Sequence, residues 1–515
     1  MPDHAAHRLN ISRPEGPTDT SRGLQPPDPA PTAPRPEGGA GNRFLSTLTH
    51  HQSTVRAIFE KVISSPEPAA PRDADTSFFA DPLHAQRELA TLGGSAPGSL
   101  SPRSKKLFGR LEPLLLARLR EVADPDAALA RLVRFAERYG LRGALFETLL
   151  TNPRVLELLV RLFDASPFLS EIAIRRPQLV EEIARLGGLG RAMGLRQFLM
   201  GLACNEEEIP WRDWVRVYRR AQQLRIGLRD LLGFASLEEI WAECSALAEA
   251  CLVFTQRELR VDDSLTVIAL GKFGGQELGY GADLDVLFIG GDPSDATRLV
   301  GAMTEQTAEG RVFPVDVRLR PEGEKGLMAV ALPEWEDYFA RGRGHLWEVQ
   351  ALTKARPLCG PQQAEWLSVA QRIWREHGRR DDLFPRIAEM LHRVQEHRGA
   401  HPELDFKTGP GGLMQLEFFV QARQMRTGLW EPNTLAALRR LNVPHTPELA
   451  AAYRTLRRIE TVLRRAEDTS ASSLPTDPTA QTRLAQRCGY RSREELLETV
   501  TAARKVIGEW AILAG

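Results

Sequence analysis

The sequence predicts an α+β protein in which a small sheet core is flanked by all-α helical regions. Three observations carry that prediction. Apolar residues recur at helical spacing from Lys105 to about residue 258. Three short apolar runs follow between Leu265 and Leu319. Helical periodicity returns after about residue 333 and lasts to the C-terminus. The composition agrees: across 515 residues, 42% are hydrophobic and 26% charged, as in ordinary folded proteins. No window holds the roughly 18 apolar residues of a membrane span, so no membrane role is expected. The 67 basic and 67 acidic residues cancel, which leaves no positive field for generic nucleic-acid binding.

The elements follow in chain order. Residues 1–44 are expected to be a disordered, proline-rich tail, because nine prolines fall in the first forty residues and few large apolar groups are present to offset ordering entropy. Residues 45–104 read as one helix, from Phe44 to Ile63, followed by linker. A helical domain is expected over 105–260. In it, Pro153 and Pro177 open two similar stretches, NPRVLELLVRL and RPQLVEEIARL, read as bundle helices rather than a solenoid. The sheet core should span 261–360, with strands at 265–270, 285–289 and 312–319, and a C-terminal helical domain should fill 361–515. Five cysteines without a CxxC pair argue against zinc or a disulfide framework, and the N-terminus lacks an apolar signal region. The expected compartment is the cytoplasm.

Chemistry concentrates in ALGKFGGQELGYGADLDVLFIG, residues 269–290. A strand enters a loop holding Gly271, Gly274 and Gly275, and Asp283-Leu284-Asp285 opens the next strand. Residues i and i+2 of a strand share a face, so Asp283 and Asp285 project together. Two carboxylates so close repel unless a cation lies between them, and magnesium is the hard, oxygen-seeking ion usually shared with phosphates. Asp316 lies on the third expected strand, with Arg318 and Arg320 on its face. If that strand adjoins the second, three carboxylates converge to hold metal for an in-line phosphoryl displacement. Gly274 and Gly275 would bring backbone N–H groups to ATP phosphates, and Arg318 and Arg320 would neutralise their charge. Each element has a plainer reading: a GG turn, a solvated DxD, an Asp–Arg ladder. The order strand, GG loop, DxD strand, carboxylate strand is much more specific than any one of them.

That order resembles nucleotidyltransferases of the polymerase-β type. More closely, the chain resembles the glutamine-synthetase adenylyltransferase family. The resemblance rests on Gly271-Lys272-Phe273-Gly274-Gly275, Glu277-Leu278, Asp283-Leu284-Asp285 and Asp316-Val317-Arg318-Leu319-Arg320-Pro321. It continues with Trp347-Glu348, Gln350-Ala351-Leu352, Lys354-Ala355-Arg356, Lys407, Gly411-Gly412-Leu413 and Glu417-Phe418, and it covers roughly residues 105–515. It implies magnesium-dependent transfer of AMP from ATP to a tyrosine of glutamine synthetase, with Asp283, Asp285 and Asp316 as catalytic and metal-holding groups. Lys272, Gly274, Gly275, Arg318, Arg320, Lys407 and Glu417 are the nucleotide-binding candidates. For Arg318, Arg320, Lys407 and Glu417 the alternative is surface ion pairing. Family members of full length carry two catalytic halves. This chain has one DxD core, closer in wording to the attaching half. Phosphorolytic removal of AMP, or a silent module that binds nucleotide or a PII signalling protein, are the alternatives. One departure stands out: Gln415 occupies a position that is usually acidic in the family. The arginines of 454–465 read as a solvated helix face or as a docking face for an acidic partner, and Trp347 and Trp430 as packing or adenine-stacking groups.

Overall fold

The computed structural model describes residues 75–513, except 95–99, 181–188, 206–207, 262, 397–400 and 402. The expected tail over 1–44, the helix from Phe44 to Ile63, residues 64–74 and 95–99 of the following linker and the greater part of the second NPRVLELLVRL-like stretch lie outside the described residues. No described helix is long and apolar enough to cross a membrane.

Helices begin where the sequence supplies a cap or a proline. Asp124 accepts from the Ala127 N–H ahead of Pro125–Tyr139, and Ser166 accepts from the Leu169 N–H ahead of Pro167–Arg175. The helices from Pro82–Leu92 to Pro167–Arg175 bury one apolar cluster, from Phe79 and Leu92 through Leu132 and Phe163 to Ile174. That core starts upstream of residue 105, because Phe79, Ala85, Leu89 and Leu92 are part of it. Helix α1 (Trp211–Leu231) is shared: Leu224 and Leu228 join this cluster, whereas Val215, Tyr218 and Ile226 turn the other way. With α2 (Leu237–Glu258), α1 shares a core with the sheet strands.

The sheet is mixed. Strands β1 (Thr266–Ala269) and β2 (Leu284–Ile289) pair antiparallel, and β5 (Arg356–Cys359) adds antiparallel to the far side of β1. The outer edge of β2 carries two short parallel partners. β3 (Val315–Asp316) lies at its start and β4 (Ala329–Val330) at its end. The third strand expected over 312–319 thus shrinks to two residues. Pro314 has no N–H to give a ladder, and the Val312 and Phe313 N–H groups bond the Met303 carbonyl instead. β4 and β5 were not expected.

Side-chain alternation decides what each face meets. Val267, Ala269, Val286 and Phe288 pack toward α1 and α2. Ile268, Leu270, Leu287 and Ile289 pack toward the C-terminal helices, with Trp335, Trp366, Trp374 and Leu456. Asp283 and Asp285 have the parity of Leu287 and Ile289, so they belong to the C-terminal side. The helices on that side used below are α4 (Leu413–Thr427) and α5 (Thr446–Glu467), and α3 (Gly271–Gly274) is the single turn after β1.

Candidate active site

Three carboxylates gather at the start of β2. Asp285 is directly opposite Asp316 in the parallel β2–β3 register, and exposed Asp283 precedes it by two residues. Asp285 lies over α3, because a Cβ on Gly271 (φ +53°) would come within 2.1 Å of its Oδ2. Among the described residues no side chain donates a hydrogen bond to it. Burial, then the charges of Asp316 and Asp283, push its carboxyl up to about 6, although Lys407 and Lys272 pull the other way. Asp316 is treated differently. Arg318 folds back on it, donating Nε–H at 2.9 and 3.0 Å and its backbone N–H at 2.9 Å, which holds the Asp316 carboxyl below the usual carboxylate range.

A half-buried carboxylate that accepts no side-chain hydrogen bond among the described residues and is crowded by two others suits a hard divalent cation in charge and donor type. The expected closed set of three ligands is not assembled, however. No group of three acidic, histidine or cysteine side chains converges on a metal position among the described residues, and Asp316 is engaged by Arg318. Asp283 and Asp285 would hold the ion first.

Other expectations need correction. The N–H groups of Gly274 and Gly275 donate to the carbonyls of Leu270 and Gly271, so they are not free for phosphates. A Cβ on Gly274 would lie 1.9 Å from the Lys354 carbonyl oxygen, and one on Gly275 would lie 2.7 Å from that of Pro432. Close packing of backbone on backbone explains the pair. Arg320 does not share a strand face with Asp316. It is buried, and its guanidinium donates to the carbonyls of Val317, Glu324 and Gly326. Lys407 sits in a turn whose N–H bonds Asp405, within electrostatic reach of Asp285. Trp430 stands edge-on to Trp374, which is packing, whereas Trp347 is exposed.

The basic stripe of α5 is neither a solvated nor a docking face. Arg457, Arg464 and Arg465 are buried, at 1%, 5% and 2% exposure. Arg458 and Arg465 bond Asp230 at the end of α1, and Arg454 bonds Glu238. Arg457 and Arg464 pair with Glu460 at 2.9 Å each, and Lys272 joins the same carboxylate at 3.1 Å. Burial pushes Glu460 up, but these three cations outweigh it and hold it down to about 2. Burial, with Arg457 beside it, takes the Lys272 ammonium down to about 7. Next door, fully buried Glu277 accepts from Lys354 Nζ at 2.6 Å and from the Thr434 N–H and hydroxyl at 2.9 Å each, while Arg457 donates to the Glu277 carbonyl. Glu417 accepts from the Tyr453 hydroxyl at 3.0 Å. Burial raises its carboxyl, and Lys354 and Lys272 more than reverse that. Lys272 and Glu417 therefore belong to a buried ionic network behind the carboxylates. Glu277 and Lys354 stood out in the sequence as motif residues without a role. Asp230, Glu460 and Thr434 gave no signal there.

Residues 156–368, which hold the carboxylates and α1–α3, match the family model of glutamate-ammonia ligase adenylyltransferase. A bifunctional glutamine synthetase adenylyltransferase/adenylyl-removing enzyme of Streptomyces avermitilis is 32% identical over 453 residues, covering 80% of this chain. The chain belongs to the glutamine-synthetase adenylyltransferase family. Enzymes of the same name from Thioalkalivibrio sulfidiphilus and Nitrosococcus oceani are 26% and 30% identical, covering 73% and 69% of this chain. The chain spans less than half the length of these three relatives: 43%, 47% and 42%. Residues 382–511, which supply α4 and α5, match a second model, GlnD PII-uridylyltransferase. The family departure at Gln415 has a local use: Oε1 accepts from the Gly411 N–H at 2.8 Å, and Nε2 donates to the Ala511 carbonyl at 3.3 Å. A carboxylate could make only the first of these bonds.

Proposed function

We propose that this chain is a magnesium-dependent nucleotidyltransferase with a polymerase-β-like sheet core, moving AMP from ATP to a tyrosine of glutamine synthetase in the cytoplasm. The observation that carries the reading is Asp285 facing Asp316 across β2–β3, with Asp283 two residues before it and no described side chain donating a hydrogen bond to Asp285. Residues 261–360 are the catalytic core, and the helical regions 105–260 and 361–515 hold it. The likeness of 382–511 to the GlnD PII-uridylyltransferase model supports a PII signalling protein as a regulatory partner.

Asp283 and Asp285 would hold magnesium, and Asp316 would join them by exchanging Arg318 for the ion. The ion supplies charge neutralisation and orientation of the triphosphate. The rest falls to the chain. Asp316 accepts a hydrogen bond from the tyrosine hydroxyl and takes its proton as the oxygen attacks the α-phosphorus. A phosphotyrosyl ester bond forms, the bond from the α-phosphorus to the α,β-bridging oxygen breaks, and pyrophosphate leaves. Arg318 and Lys407 would meet phosphate charge.

Incubation with ATP labelled at the α-phosphate, magnesium and glutamine synthetase tests this. Label should enter the acceptor with the parent chain and not with Asp285→Asn. Failure of the parent chain to label glutamine synthetase, together with ADP release from adenylylated acceptor and phosphate, would reverse the direction. Absence of both reactions would end the proposal.

A further inference from the structure

Asp468 and Arg219 touch none of the three carboxylates, yet their contacts reach both segments that deliver them. Asp468 caps the C-terminus of α5 in a left-handed conformation, φ 53° and ψ 44°, which aspartate, asparagine and glycine tolerate better than other residues. Its Oδ1 accepts the Gly281 N–H at 2.7 Å, two residues before Asp283. Gly281 is itself left-handed, and a Cβ there would lie 2.5 Å from the Asp468 carbonyl carbon and the Thr469 nitrogen, so the two backbones are in direct contact. The other oxygen, Oδ2, accepts from Arg219 of α1 at 3.2 Å, and both side chains are nearly buried. Arg219 in turn stacks over the Phe313 ring at 4.5 Å and reaches the Arg311 carbonyl. Phe313 is three residues before Asp316, and the next carbonyl, that of Pro314, receives the Leu284 N–H at 2.9 Å. Arg464, one turn earlier on α5, anchors the chain beyond Asp468 through the carbonyls of Ser470 and Ala471.

We infer that the buried Asp468–Arg219 pair is a positioning brace that fixes Asp283 and Asp285 relative to Asp316 by holding the Gly281 loop and the 311–313 segment to one ion pair. Both residues act through other groups, and neither is catalytic. The inference rests on the proposed role of the three carboxylates as an ion site. It adds that the spacing of that site is set by α1 and the end of α5, 187 residues downstream of Gly281.

The test uses the full chain. Asp468→Gly keeps the left-handed backbone without strain and removes the acceptor. Asp468→Asn keeps the acceptor and the conformation and removes the charge. Arg219→Gln leaves Asp468 untouched and serves if the glycine variant does not fold. Hydrogen exchange at the Gly281 amide is measured without any metal, and manganese(II) affinity is measured by electron spin resonance on the same samples. Losing one partly buried hydrogen bond should speed Gly281 exchange about tenfold in Asp468→Gly. The manganese affinity should fall by a similar factor, with both effects largely rescued in Asp468→Asn and partial in Arg219→Gln. Unchanged exchange in Asp468→Gly overturns the brace. Faster exchange with unchanged manganese affinity overturns its role in positioning. If the parent chain binds manganese no better than Asp285→Asn, the ion-site reading itself fails. The exchange data then report on the brace alone, and its claim on the carboxylates falls.

Discussion

Glu460 receives Lys272, Arg457 and Arg464, whereas Asp285 receives no donor among the described residues, although Lys272 acts on both. The first cluster is closed: Arg457 and Arg464 meet Glu460 within α5, and Lys272 reaches it from the turn after β1. The second is open: two neighbouring carboxylates raise the cost of ionising a third. Burying charge is expensive unless it is paired, so a closed cluster is scaffolding, and an open one fits the proposed cation site.

The largest effect should come from the open cluster. On the proposed function, replacing Asp285 by Asn removes charge from the ion site, and AMP transfer should fall on the order of 10²–10³-fold, measured as label incorporated per minute. Retention of full activity would abolish the contrast. Next is the closed cluster. Glu460→Gln leaves three cations without their shared carboxylate, and the fold should lose about 3–5 kcal/mol in urea titration. A loss under about 1 kcal/mol would show that water already serves those cations.

The two clusters should also respond to pH with opposite signs. The Asp285 carboxyl is raised to about 6, so its protonated form favours the fold. That contribution is complete below the ordinary value near 3.8 and is lost as pH rises through about 6. Asp285→Asn should therefore be more stable than the parent at pH 8, by about 1–3 kcal/mol, and equal to it near pH 3. Glu460 is held down to about 2, so its contribution is present above its ordinary value and disappears as pH falls toward 2. Thermal denaturation of the parent and both variants across pH separates the two. The smallest effect belongs to Gln415. Gln415→Glu keeps the Gly411 bond and loses the one to the Ala511 carbonyl, costing about 1 kcal/mol. Because Gln415 lies outside both clusters, activity should change less than stability, as parallel assays would show.

Strand alternation alone made part of this site legible. Asp283 and Asp285 share a face because a strand repeats every two residues, and Asp316 falls opposite Asp285 because β3 adjoins β2. The arginines of α5 were misread for a physical reason. Periodicity tells which residues share a helix face, but not what lies against it, and Asp230 is 228 residues from Arg458. Gly274 shows the same limit. A glycine that lets backbone approach a phosphate reads the same as one that lets backbone approach the Lys354 carbonyl. The third strand was overextended because its apolar character concealed Pro314. The helical regions were readable where apolar spacing was long and regular. The packing of α1 on the sheet was not, because both its faces carry apolar residues.

Arg457 and Glu460 ride on α5, yet Glu460 neutralises Lys272 and Arg457 bonds the Glu277 carbonyl, around a turn almost two hundred positions earlier. A shortened gene product ending near residue 360 would carry Lys272 without its counter-ion Glu460, and the Glu277–Lys354 pair without the Thr434 groups that bond it. Chimeras made by crossing this chain with a relative should thus survive only when the GKFGG turn and α5 are inherited from the same parent.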